Sequence, residues 1–212
     1  MIWIDRANQS QKHYAENYYE AQILTVMTRR DRRSTKTPKN IKPIEIDPVK
    51  LGFMILLGIY GFRGAIDYDN FLFIHNFDLI IHEAGHAIFR VFGEFIHFLG
   101  GTLLQLMVPI GITVYFFIHH QKYSAATTLF WTSINLFDVS RYMKDARTQE
   151  LPLLGGENVT HDWLYLFGNL NLLQADTSIG NFVYVLACAV YLTSIALGCY
   201  YSRKDDKPGR IV

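Results

Sequence analysis

The run NFVYVLACAVYLTSIALGCYY, from Asn181 to Tyr201, carries no charged residue. An uncharged apolar stretch of about 20 residues is long enough to cross the hydrocarbon core of a bilayer as a helix. A helix is also the one open-ended structure that satisfies all its own backbone polar groups there. This run sets the context for every other apolar segment. Pro48 suits the first turn of a helix, and VKLGFMILLGIYGF follows it. That segment is short of a straight span unless flanking residues contribute. Residues 71–92 form a second segment, and Leu99–Ile118, opened by Gly100 and Gly101 and interrupted by Pro109, a third. Residues 124–147 begin apolar (AATTLFWTSINLF) and turn charged (DVSRYMKDAR), as a helix does on leaving a membrane. A glycine-containing loop then leads to a shorter helix, DWLYLFGNLNLL. The pattern predicts an all-α fold, a polytopic transmembrane helix bundle with about 4–6 membrane segments. It divides into a polar, basic cytoplasmic or interfacial segment over 1–43, a transmembrane domain over 44–202 and a polar tail over 203–212.

Composition agrees with this reading. Half the residues are hydrophobic and 18% are charged, against about 25% charged in soluble domains. The net charge of +1 gives no reason to expect a nucleic-acid partner. Residues 1–50 nevertheless hold ten Lys or Arg against six acids, and 29–42 read RRDRRSTKTPKNIK. A basic stretch before apolar sequence suits anionic headgroups on the cytoplasmic face; a solvated linker is the alternative. Residues 10–30 have the pattern of an amphipathic interfacial helix. The basic amino-terminal segment and the cluster Arg141, Lys144, Arg147 both prefer the cytoplasm, and they agree if the first four segments alternate across the bilayer. Arg203, Lys204, Lys207 and Arg210 add a third basic group. The first forty residues are polar and tyrosine-rich, with no secretory signal pattern, so insertion rests on internal segments. Cys188 and Cys199 lie about three helical turns apart, too far for a bond within one helix. The expectation is a multi-pass integral protein of the cytoplasmic (inner) membrane of a bacterium.

Polar groups inside such apolar sequence are costly and face a bundle interior or a site. FDLIIHEAGHAIFRVFG, Phe77 to Gly93, concentrates them. On one helix His75, Asn76, Asp78, His82, Glu83, His86 and Arg90 fall within a sector of about 160°. His82 and His86, four apart, stack on one face at the spacing from which two imidazoles bind one zinc ion. Glu83 lies beside them, placed to act as general base on a zinc-bound water. Asp78 is either an acceptor for a ligand histidine's N–H or a helix-start acid. A third ligand is needed. His13 lies in the polar tail, His119 and His120 at a membrane exit, and His75 at the entrance, while His97 sits in a tight turn after the zinc helix. The stronger candidates are Asp138 and His161. Asp138 belongs to a second polar stripe, Asn135, Asp138, Tyr142 and Asp145, within about 80° on its helix. His161 is delivered by a glycine loop to the start of a helix, where Thr160 or Asp162 can instead serve simply as a cap.

His82-Glu83-Ala84-Gly85-His86 in a membrane helix is similar to the H-E-x-G-H of the site-2 protease family of intramembrane zinc metallopeptidases. Asn135-Leu136-Phe137-Asp138 resembles that family's second motif, in which an asparagine precedes the aspartate that is the third zinc ligand. The resemblance covers about Phe71 to Asp145. It implies His82, His86 and Asp138 on Zn2+, Glu83 in catalysis, and a membrane-embedded or membrane-associated peptide substrate. The family usually has glycine after its aspartate, and here Val139 follows. Gly100, Gly101, Thr102, Gln105 and Pro109, with His161-Asp162-Trp163, resemble uncharacterised bacterial membrane proteins grouped loosely with these peptidases. The expected function is a zinc-dependent intramembrane hydrolase. The alternatives are a membrane scaffold or small-ligand transporter with a polar helix stripe, and a membrane di-iron oxygenase.

Overall fold

A computed structural model describes residues 17–29, 45–66, 73–151 and 159–204. The chain divides into two units, Met1–Ile44 and Glu45–Val212. In the first, residues 17–29 form helix α1, with exposed side chains. The second unit is all-α, as the sequence predicts: α2 (Pro48–Ile66), α3 (Phe73–Phe89), a 3-10 turn (Arg90–Phe92), α4 (Glu94–Ile118), α5 (Lys122–Lys144), α6 (Asp162–Asn169) and α7 (Asp176–Tyr200).

Helix starts follow local chemistry. Asp47 Oδ1 accepts from the Val49 and Lys50 amides at 3.0 and 3.3 Å, so α2 opens with a capping carboxylate and proline in its first turn. Gly93, at φ 98°, makes the corner between the 3-10 turn and α4. The corner falls there, and His97, expected in a tight turn, lies inside the first turn of α4 instead.

α2, α4 and the stretch Leu173–Tyr200 are long and apolar enough to cross a membrane. Their outer faces present Phe53, Leu56, Ile59, Phe182, Val185 and Leu192, exposed apolar side chains of the kind that mark a membrane or partner contact. α5 is different. It holds polar and small residues and is the most buried helix, with Ser133, Asn135 and Ser140 wholly inaccessible. α5 packs most extensively on α7. Gly180 admits the Ser140 carbonyl and the Lys144 side chain, and Ser140 Oγ donates to the Gly180 carbonyl at 2.8 Å. Small residues at such contacts let backbones approach, as in membrane bundles. By length and composition three of the expected four to six segments qualify as spans among the described residues. The other two long elements, α3 and α5, carry the polar groups that lower their hydropathy.

The ends of the bundle are fixed by contacts. The start of α2 and the end of α7 lie side by side, joined by Asp47 N–H to the Ser202 carbonyl at 2.9 Å and Lys204 N–H to the Glu45 carbonyl at 2.9 Å. Lys50 lies over Tyr123 and Lys122 over Tyr201 at that end. Arg147 is at the other end, bound to Asp176 at the start of α7 at 2.7 Å. Lys50 and Arg147 therefore lie at opposite ends of the bundle, while the basic run over 30–42, expected on the same side as Arg147, lies outside the described residues. α3 does not reverse the chain across the full bundle, so simple alternation fails: it lies antiparallel on α4 while Asp78 reaches Trp131 midway along α5.

A candidate metal centre between three helices

The approach of α3 to α4 creates the site. A Cβ on Gly85 would lie 2.2 Å from the Gly100 carbonyl oxygen, so the two backbones touch where neither helix has a side chain. One residue further on, Gly101 presents its bare Cα to the histidines. A Cβ there would sit 2.5 Å from His82 Nε2 and 2.6 Å from His86 Nε2. The glycine preserves a small space that both ring nitrogens border.

α6 closes this space. Trp163, Leu166 and Phe167 pack with Val139 and Met143 of α5 and with Phe95, Phe98 and Leu99 of α4. Tyr165 stacks on Phe98 at 4.1 Å between centroids. This packing holds the first residue of α6 over α3. Asp162 Oδ2 lies 2.9 Å from His82 Nε2 and 3.2 Å from His86 Nε2. His82, His86 and Asp162 form a group able to hold a metal ion, with one ligand atom from each all within 4.8 Å of one another.

Hydrogen bonding on the far side of each ring fixes its tautomer. His86 Nδ1 lies 2.8 Å from the His97 carbonyl, which only accepts, so Nδ1 carries the proton. His82 Nδ1 lies 3.0 Å from Gln105 Oε1, and Gln105 Nε2 donates to Asp138 Oδ2 at 2.8 Å. A carboxylate accepts only, so the amide must present its oxygen to His82, and Nδ1 again carries the proton. With both rings neutral, each would aim an Nε2 lone pair at the Asp162 carboxylate, another lone-pair donor. Three acceptors converge with no hydrogen to share. That arrangement needs a cation or an added proton, and buried metal-ligating histidines have this outer hydrogen bonding. The donor set fits a divalent metal taking nitrogen and oxygen ligands.

The structure brings together two of the four expected ligands, His82 and His86, with Asp162. His161 and Asp138 are placed elsewhere. His161 caps α6: its Nδ1 accepts from the Leu164 amide at 3.3 Å, and its Nε2 lies 3.3 Å from Asp145 Oδ2. Burial pushes this imidazole below its usual pKa, with the Asp145 carboxylate opposing, in keeping with a neutral ring whose Nδ1 accepts. Asp138 binds Gln105 with one oxygen, and the other lies 3.5 Å from His75 Nδ1. Asp78 is neither a partner of a ligand histidine nor a helix-start acid. It accepts from Trp131 Nε1 at 2.7 Å and from Asn135 Nδ2 at 3.2 Å, tying α3 to α5.

Glu83 follows His82 on the exposed side of α3, close enough for its charge to act on His86 and Tyr142. The Tyr142 hydroxyl accepts from the Asp162 amide at 3.2 Å, and its ring packs on His161 at 4.2 Å. All four residues of the α5 stripe are thus used, each on a different partner. Gly101, Gln105 and Asp162 were the residues missed as parts of the centre. Gly101, Gln105 and Pro109 recur every four residues and are all buried, a stripe visible in an otherwise apolar segment. No protein-family model, curated protein or solved structure matches the chain.

Proposed function

We propose that the protein is a zinc-dependent hydrolase inside a multi-pass membrane bundle, a metallopeptidase resembling the site-2 proteases that acts on a membrane-embedded or membrane-associated peptide. The observation that carries this reading is the convergence of His82 Nε2, His86 Nε2 and Asp162 Oδ2 on one point, with Glu83 next in sequence to the first. Two imidazoles and a carboxylate leave a tetrahedral zinc one open position, the pattern of catalytic rather than structural zinc. Zinc held there would supply a Lewis acid that lowers a coordinated water's pKa to about 7 and polarises a carbonyl.

Glu83 takes the proton of the attacking water at its carboxylate and returns it to the leaving nitrogen. Its exposed position on α3 supports access for substrate from outside the bundle. A helical substrate must unwind locally, because its carbonyls are otherwise bonded within the helix. The third protein ligand in this reading is Asp162, and the aspartate of the second family-like motif, Asp138, supports His82 through Gln105. A scaffold or transporter has no need of three lone pairs aimed at one point. The adjoining start of α2 and end of α7, with Lys50, Lys122, Arg203 and Lys204, favour the cytoplasm for that end, in a bacterial inner membrane.

Metal analysis of the purified protein, with hydrolysis of membrane-peptide substrates by wild type and Glu83→Gln, tests this reading. The expected result is about one zinc per chain in both proteins and turnover in the wild type alone. Two irons per chain would favour an oxygenase, and no metal a scaffold or transporter. Wild-type rates in Glu83→Gln would remove the proposed base.

A further inference from the structure

We propose that Gln105 and Asp138 are a pair of positioning residues: Asp138 sets the orientation of the Gln105 carboxamide, which sets the free nitrogen of His82. The inference rests on the reading of His82, His86 and Asp162 as a metal set. His82 and His86 solve the same problem differently. His86 donates to the His97 backbone carbonyl, an acceptor that cannot be turned round within a helix. His82 donates to a side-chain carboxamide, whose oxygen and nitrogen ends are nearly equal in shape. With the amide reversed, an N–H donor would face His82 Nδ1. The proton would then have to sit on Nε2, the atom that faces Asp162, and that nitrogen would be closed to a metal.

Asp138 removes the ambiguity. Its Oδ2 lies 2.8 Å from Gln105 Nε2, and reversal would set the amide oxygen against the carboxylate with no proton between them. Gln105 is 3% exposed, so its own reversed oxygen would be left without a partner, whereas the Asp138 side chain is 32% exposed and open to water. Leaving a buried acceptor unpaired favours the orientation present by about 5- to 150-fold. The hydrogen bonds cross three helices, from Asp138 on α5 to Gln105 on α4 to His82 on α3. Asp138 is therefore built to act on the centre without touching the metal.

The test is a double-mutant cycle on zinc affinity, measured by chelator competition on the full chain in detergent, with the visible spectrum of the cobalt(II)-substituted protein as second readout. Gln105→Met, of similar size and without polar ends, is expected to weaken zinc binding by about 10–100-fold. Asp138→Ala is expected to cost about tenfold in the wild-type background and to add less than about twofold in the Gln105→Met background. Asp138→Asn brings the ambiguity back, because its carboxamide can either accept from or donate to Gln105, and its zinc affinity is expected to fall between those of the wild type and Asp138→Ala. Both weakening variants are expected to shift the cobalt spectrum alike. An Asp138→Ala loss undiminished beside Gln105→Met would overturn the proposal, as would complete zinc loss matching Asp162→Ala, which would make Asp138 a ligand. Wild-type protein that takes up no zinc, or Asp162→Ala protein that keeps it, would overturn the metal set itself, and the pair with it.

Discussion

Replacing Gly101 by alanine adds one methyl group at the most sensitive point of the bundle. That carbon would lie 2.5 Å from His82 Nε2 and 2.6 Å from His86 Nε2, where ordinary contact begins near 3.4 Å. Both rings would have to retreat by about 0.8 Å or more to reach van der Waals separation. Zinc–nitrogen bonds are about 2.0–2.1 Å long and tolerate changes of about 0.2 Å, so at least one imidazole is lost as a ligand. Structural zinc sites bind with about 10–16 kcal/mol over four ligands, or roughly 3–4 kcal/mol each. At about 1.4 kcal/mol per factor of ten, the expected loss of zinc affinity is two to three orders of magnitude. α3 is poorly placed to yield, since Gly85 already meets the Gly100 carbonyl and Asp78 is tied to Trp131 and Asn135. Gly111→Ala is the control: it lies on the same helix, and a Cβ there meets nothing within 4 Å. Both substitutions gain the same helix propensity, about 1 kcal/mol, so the difference between them isolates the contact with the rings. Chelator competition reads the affinities. If Gly101→Ala holds zinc as tightly as Gly111→Ala, the two ring nitrogens do not share a metal across this glycine.

Asp162→Ala should lower zinc affinity by more than about a hundredfold, whereas His161→Ala should lower it less than tenfold and cost about 1 kcal/mol of stability through the lost cap; zinc titration and thermal unfolding of both variants separate the two roles. Gly85→Ala places a Cβ 2.2 Å from a backbone oxygen. It should lower the unfolding temperature by on the order of 5–10 °C, read with metal removed so that lost packing is measured apart from lost binding.

Much of the fold was legible because lipid and helix geometry leave few choices. The uncharged run that starts at Asn181 forms α7 up to its last residue, Tyr200, and Pro48 begins α2 behind an aspartate cap. The path of the chain between helices was not legible. Alternation of segments assumes that each helix crosses completely, but α3 pairs with α4 and touches α5 near its middle, so Lys50 and Arg147 end up apart. Periodicity gives the face that a helix buries and not the depth at which it starts. The α3 stripe shows the same limit: His75, Asp78 and His82 are buried, while Asn76 and Glu83 are exposed. A sector of about 160° is wider than the contact that one neighbouring helix makes.

The third member of the group formed with His82 and His86 shows what sequence spacing cannot carry. His161 and Asp162 are adjacent, and either type can bind zinc or cap a helix. In a cap the residue before the first helical turn points its side chain back at the amides of that turn, and the residue after it points elsewhere. Once α6 begins at Asp162, His161 is in the capping position, with φ −65° and ψ 123° and its Nδ1 on the Leu164 amide. Asp162 is then turned outward by the helix and toward α3. A start one residue earlier would put His161 in the first turn and Thr160 in the cap. Propensity alone places helix ends no better than one or two residues, and that uncertainty is as large as the distinction between the two roles. Asp145 faces His161 Nε2 at 3.3 Å and accepts from the Glu150 and Leu151 amides in the turn after α5. Which of the two adjacent side chains faces His82 and His86 thus follows from where α6 begins, and Asp145, on another element, lies against the residue that caps it.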